Sequence, residues 1–543
     1  PEEKTSATAS LIKINLTAEA PVLTQNDYST VTLTPLMTIA SGSANINGNK
    51  IACRGLNLYT GNINPADIRQ LNLNLVADRL SYTDGTNNIT ARRPDIRLNI
   101  AKRATPYTIS SPYRPSAEDE SPESMTSLPH TPGYISVSAP GTLREFLAQY
   151  DFNTLIKCAA LNERKSNGTL RDLSATVTPD RLTIHRFNTE IQSTRARIAT
   201  DVSGLRDFLL DTVGVQPLYI NLQTDLDTVN INTLAHAWFS SRGGVPQHKT
   251  TVSPMASDSI AYLIPRNITA HIKASAKETV YTNLHLYDLN TRLTIDNGRA
   301  EVNGLNISSD FGHAAMNLIY DTADIDSIGF KADLAITDVN IVNFFKNFHA
   351  LLMMAPQMKN LDGNLSIYGS VGGSIFPDMV INVPGMYADF NLQGRQLKVH
   401  QSNFIRRVTK MMLIDNDDDL HIKDMNVFAH VHGNLLQLDP FLFEFDRYKL
   451  RMLGINNFNG DLYYQVGVIE NPFHIPFGIK IEGLFHDPKL RFGSTDYDTQ
   501  KALRISQSIM EQNNINIVRM MKGFMGEFLR KAAQAATDPN LSL

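Results

Sequence analysis

Apolar residues recur at every second position in short segments along the whole of this sequence. Leu71, Leu73 and Leu75 alternate with Asn72 and Asn74, and Ile96, Leu98 and Ile100 with Arg97 and Asn99. The pairs Ile220/Leu222 and Ile479/Ile481 repeat the pattern. Successive side chains on a strand point to opposite faces, so each segment has one apolar and one polar face. Such strands pair antiparallel, with one face wet. Asp84-Gly85, Asn297-Gly298, Asp362-Gly363 and Asn459-Gly460-Asp461 supply turns between them. The expected fold is mainly β: an elongated, curved antiparallel sheet, groove-forming and repeat-like, with a few short helices and a C-terminal amphipathic helix.

A chain of 543 residues exceeds one ordinary core, and its 42% hydrophobic content argues against general disorder. Its net charge of −4 gives no case for nucleic-acid binding. No run of ~18 apolar residues is present to span a membrane; the longest compact stretch is 350–355. No signal peptide is visible. Cys53 and Cys158 belong to no metal-like cluster and are expected to be free thiols.

Seven segments follow from the pattern: an N-terminal β segment (1–103), a Pro- and Ser-rich linker or loop (104–140), a β repeat with helices (141–240), a loop (241–260), a second β repeat (261–355), a C-terminal β region (356–495) and an amphipathic helix with tail (496–543). Arg181-Leu182-Thr183-Ile184 recurs as Arg292-Leu293-Thr294-Ile295, and Val229-Asn230-Ile231 as Val339-Asn340-Ile341. The two offsets agree within one residue, which suggests strands followed by a helix as a repeating unit. Helices are expected after each Val-Asn-Ile, at 232–239 and 343–352, and also over 404–414 and 501–536. The last places Phe524 and Phe528 on one side and carries Arg519 and Lys522, a make-up that suits an anionic membrane surface, although packing on the sheet or capping its open end is the better account.

No GxSxG, HExxH, GxxxxGK[ST] or dinucleotide-binding glycine pattern occurs. His430-Val-His432 could direct two imidazoles to one side of a strand, but polar residues on a wet face are the better account. Asp415-Asn-Asp417-Asp418-Asp419 opens like a calcium loop and then departs from it at Leu420 and Asn426, so an acidic turn is expected. Phe441, Phe443 and Phe445 make an aromatic stripe whose ordinary role is core packing. The chain is read as non-catalytic and without cofactor.

The stretch 361–492 resembles the C-terminal region of the AsmA-like family. Leu361-Asp-Gly363-Asn-Leu365-Ser-Ile367-Tyr-Gly369 is similar to that family's glycine-punctuated strand pair, and Asp439-Pro440-Phe441 to the segment before its glycine-rich strand. Tyr448–Gly454, Asn459–Tyr464 and the ending Ile481-Glu-Gly483 through Pro488-Lys489 follow in order. The resemblance implies a periplasmic protein of the bacterial envelope, anchored to the inner membrane by a helix upstream of Pro1. It also implies kinship with bridge-like lipid-transfer proteins, and an outer-membrane partner protein.

The expected ligand is phospholipid or another acyl lipid, held or conducted along an apolar trough between the two membranes or in support of outer-membrane assembly. Candidate lining residues are Leu73, Leu75, Leu182, Ile184, Ile220 and Leu222 in the first half. Leu293, Ile295, Phe441, Phe443, Phe445, Ile479 and Ile481 are the candidates in the second. A structural or adhesive β-sandwich with no trough is the main alternative; an outer-membrane barrel and a hydrolase with a dispersed site fit less well. What separates the first two is whether the apolar strand faces are roofed by protein.

Overall fold

The computed structural model describes residues 5–19, 32–46, 48–61, 69–84, 88–109, 134, 139–163, 168–191, 194–211, 215–230, 263–281, 284–347, 359–376, 381–412, 419–445, 447–457, 460–484, 487–496, 498, 500 and 502–504. The fold is mainly β, a curved antiparallel sheet with a few short helices. The chain divides into two compact units. The first comprises Pro1–Thr228, Pro265–Ser275 and Leu293–Gly298; the second comprises Val229–Ile264, Ala276–Arg292 and Arg299–Leu543.

In the first unit, long strands alternate with a pair of short ones. Strands β1 (Thr5–Glu19), β2 (Thr32–Ile46) and β3 (Asn49–Thr60) pair in order. The C-terminal part of β3 then pairs with β4 (Gln70–Val76), and its N-terminal part with β5 (Arg79–Thr83). β5 pairs with β6 (Asn88–Arg92), and β4 with β7 (Asp95–Lys102). Both branches rejoin on β8 (Tyr150–Glu163), which β9 (Gly168–Val177), β10 (Arg181–Ile191), β11 (Thr194–Ser203) and β12 (Leu218–Asn230) follow in turn. Two helices stand at one end of these strands: α1 (Gly141–Gln149) leads into β8, and α2 (Leu205–Leu210) follows β11. α2 opens at Gly204, whose φ of +84° is left-handed and whose Cβ, if present, would lie 2.7 Å from the Pro217 carbonyl.

β13 (Ile268–Tyr281) and β14 (Leu284–Asp296) are divided between the units. The Asn297-Gly298 turn after β14 has both residues at positive φ, +42° and +79°, as a two-residue hairpin requires.

The second unit continues with β15 (Arg299–Ser309), β16 (Gly312–Asp321), β17 (Ile328–Asn340), helix α3 (Ile341–Asn347), β18 (Leu361–Ile375), β19 (Tyr387–Val399), helix α4 (Asn403–Met411) and β20 (Leu420–His432). It ends with β21 (Leu435–Phe445), β22 (Tyr448–Asn457), β23 (Asp461–Glu470), β24 (Phe477–Leu484) and β25 (Asp487–Gly493). From β15 to β25 each strand pairs antiparallel with the next. At α3, the Asn340 side chain accepts the Asn343 N–H at 2.9 Å, so the strand-to-helix junction read in Val-Asn-Ile is an N-cap. Ser402 caps α4 in the same way.

Bulges interrupt the strict alternation. β15, β17 and β18 shift register at Val302/Leu305, Ile336/Val339 and Asp362/Asn364, with Gly304, Asp338 and Gly363 at positive φ beside the shifts. An inserted residue bends the strand and restores the apolar side chains to one face. Asp362-Gly363, expected as a turn, is therefore such a bulge inside β18. The two Arg-Leu-Thr-Ile copies are not equivalent either: the first opens β10, whereas the second closes β14. α1 and α2 lay outside the expected helices. The segments 232–239, 241–260 and most of 501–536, with Arg519, Lys522, Phe524 and Phe528, lie outside the described residues. Both cysteines are free thiols.

Candidate functional site

Directly opposite residues of an antiparallel pair lie on the same face, so ladder register carries a face from strand to strand. Starting from Leu75, register connects Ile96, Ile156, Ala175, Ile184, Thr200 and Leu222 through β7 to β12. In the other direction it connects Leu58, Met37 and Ile14. A second row beside it runs Leu73, Leu98, Thr154, Val177, Leu182, Val202 and Ile220. Six of the lining residues expected from sequence thus share one face of the first unit. At ~4.8 Å per strand the ten-strand row is ~43 Å long, against ~15 Å for one leaflet of a bilayer's hydrocarbon core.

Among the described residues this face is only partly covered. Apart from Ala175, the aliphatic side chains of both rows from β4 to β12 are half-buried. Among the described residues, the only fully buried apolar side chains on β1–β12 are Cys158, Ala175 and Ala196. Leucine and isoleucine on the inner face of a closed sandwich are shielded almost completely. Here they keep part of their surface accessible. On β1, Ile12, Ile14 and Leu16 are more than half exposed.

The second unit is built otherwise. Ile479 and Val468 are fully shielded, Leu450 is 1% exposed, and Ile481, Leu365 and Leu397 join them in one core. Val408 and Met411 of α4 and Phe345 of α3 pack against it. Phe441 is buried and stacks on Phe443 at 5.7 Å between ring centroids, and Phe443 packs against the core. Ile479, Ile481 and these rings therefore line a closed interior. The Phe445 backbone pairs with Tyr448 at the end of the β21–β22 ladder. Leu293 and Ile295, on β14, are half-buried.

At the end of the first unit where β8 begins stands a charged cluster that the sequence did not signal. The Arg206 guanidinium, 2% exposed on α2, donates to Asp151 at 2.5 Å and lies 3.6 Å from Asp180. It sits 4.6 Å from the centre of the Tyr107 ring, whose hydroxyl donates to Asp207 at 2.8 Å. Desolvation opposes the Asp151 charge, but Arg206 and Arg103 outweigh it and hold the carboxyl below its ordinary range. Burial, reinforced by Asp207, raises the Tyr107 hydroxyl. The Phe146 ring of α1 meets Tyr150 and Phe152 at 5.1 and 5.6 Å, so α1 bounds the apolar face where β8 begins. Arg206 sits in Leu-Arg-Asp-Phe-Leu-Leu, which reads as any amphipathic turn.

No group of His, Cys, Asp and Glu suited to a metal ion occurs among the described residues. His430 bridges two carboxylates, with Nδ1 2.6 Å from Asp389 and Nε2 3.2 Å from Asp439. Asp419 accepts from Lys398 Nζ at 2.9 Å and His400 Nδ1 at 3.1 Å, while 413–418 lie outside the described residues.

The fold and this face define a mainly-β protein with a long aliphatic surface that the described residues cover only in part. No family model and no curated protein matches the chain.

Proposed function

We propose that this chain is a non-catalytic, AsmA-like envelope protein that holds or conducts acyl lipid along the apolar face of its first unit. The observation that supports this most is the ten-strand aliphatic row on which no large side chain is fully covered. Each buried methylene of a lipid contributes ~0.8 kcal/mol, so an acyl chain laid along the row is held strongly. Leucine, isoleucine and valine offer near-equal positions along it, which favours sliding over fixed recognition. Head groups stay in water beyond the strand ends. The periplasmic setting, an inner-membrane anchor and an outer-membrane partner come from the family resemblance.

The test is direct. Purified protein is exposed to a bacterial phospholipid extract, washed and analysed by mass spectrometry. Phospholipid is expected to stay bound, and Ile184→Glu and Leu98→Glu are expected to lose most of it while remaining folded. A folded wild-type protein that retains no lipid sinks the proposal. The sealed interior of the second unit favours a structural role for that part, which acts in this reading as a closed terminus and not as further trough.

A further inference from the structure

The connection between β23 and β24 is Asn471-Pro472-Phe473-His474-Ile475-Pro476, and it is built to show its apolar side chains to the outside. Asn471 is buried, and its side chain ties the loop from within. Its Oδ1 accepts the Phe473 N–H at 2.9 Å, and its Nδ2 donates to the Ile475 carbonyl at 2.8 Å. The His474 N–H closes back on the Asn471 carbonyl at 3.1 Å, with His474 at a φ of +58°. Two prolines restrict the chain further. In this frame Phe473 is 53% exposed and Ile475 66%. Neighbouring β25 adds Phe492, 65% exposed, with its ring 6.2 Å from Phe477.

Glu470, which precedes the loop, is paired with Lys449 at 3.5 Å, and basic charge lies further along β24 and β25. Lys480 and Arg491 stand directly opposite each other on β24 and β25, and neither has an acidic partner among the described residues. Like charges in that position repel. Lys480 is five residues beyond Ile475, so the pair stands up to ~16 Å from the apolar tip, on the strand face opposite Phe492. A few side chains inserted ~5–10 Å into a bilayer boundary leave the long Lys480 and Arg491 side chains within about a Debye length of the phosphates. A protein partner would require ~800 Å² of complementary surface on this side, far more than two or three protruding side chains provide.

The geometry points to the 471–476 loop, with Phe492, Lys480 and Arg491, as a docking site for a membrane surface rich in anionic phospholipid. The inference goes beyond the proposed trough and uses different residues, so the two fail separately. The loop is already ordered, so docking spends little conformational entropy.

The experiment uses the full chain carrying Trp238→Phe and Phe473→Trp, so that the loop holds the only tryptophan. Vesicles of phosphatidylcholine with phosphatidylglycerol are added, with and without brominated acyl chains. The expected result is a blue shift and bromine quenching, weaker with pure phosphatidylcholine. In co-sedimentation, Phe473→Ser with Ile475→Ser is expected to lower partitioning roughly tenfold or more. Lys480→Glu with Arg491→Glu is expected to abolish the preference for anionic vesicles. Lipid retention in the trough should stay unchanged in these variants. Two outcomes overturn the assignment: emission that does not change with vesicles, or emission already blue-shifted without them, which means that protein covers the loop.

Discussion

Leu75 and Leu222 lie on the same face of the first unit, joined by six consecutive ladder pairs from β4 to β12. About 150 residues separate them in the chain. Register alone aligns them, and the face they share carries the proposed function. The same alternation in the second unit ends at Ile479, with no exposed surface at all.

That contrast predicts opposite responses to similar substitutions. On the open face, a glutamate at Ile184 adds a charge that water still reaches, so melting temperature should shift by only a few degrees while lipid retention falls. In the closed core, Leu450→Ala removes packed methylenes and should destabilise by ~2–5 kcal/mol. Phe443→Glu should behave like the core variant, because its ring packs inward. Thermal melts paired with lipid mass spectrometry check this, and equal destabilisation at Ile184 and Leu450 would place a roof over both.

Arg206 is the next test. Truncation to alanine leaves Asp151 and Asp180 without their shared cation and takes the guanidinium from under the Tyr107 ring. Asp151 is half exposed, so the loss should fall at or below the low end of the ~3–5 kcal/mol for breaking a buried pair. Denaturant unfolding measures it. Arg206→Lys should recover only part, since lysine cannot meet both carboxylates and the ring with one planar group.

Acid should act through Asp419. A hydrogen bond from Lys398 lowers its carboxyl most, with further bonds from the Gln401 backbone and His400, to about 2 from an ordinary 3.8. A depressed carboxyl stabilises the folded state above its unfolded value and loses that contribution as pH falls towards its folded one. Wild-type stability should therefore decline between about pH 4 and pH 2, and Asp419→Asn should show a shallower decline over that interval. Melting temperatures at stepped pH report it.

Base should act through His430. Hydrogen bonds to Asp389 and then Asp439 raise its imidazole above the ordinary 6.5. Its contribution is complete below 6.5 and disappears as pH rises through the raised value. Wild type should lose stability relative to His430→Gln across that window, and identical pH profiles would show that the bridge is energetically silent. NMR titration of the ring gives the same answer independently.

Much of the apolar face was legible because a two-residue period marks a strand with one apolar face wherever the backbone is regular. Leu73, Leu75, Leu182, Ile184, Ile220 and Leu222 were read in this way, and all occupy one face. The period gave less where bulges break it. Around Asp338 and Gly363 the apolar side chains change parity in sequence yet remain on one side in space, so Gly363 resembled a turn. The cluster of Tyr107, Asp151, Asp180 and Arg206 had no local signature, because its members come from four separate segments.

The sequence by itself determined that this chain is a succession of amphipathic antiparallel strands without a catalytic motif. Side-chain alternation is a property of each strand alone, so it needs no knowledge of neighbours. Only the tertiary structure decided which apolar faces stay uncovered and which close on themselves. Ile184 and Ile479 have the same chemistry and the same local pattern, and they differ in what lies across from them. Burial depends on distant partners brought into place by the whole sheet, and no local pattern encodes it.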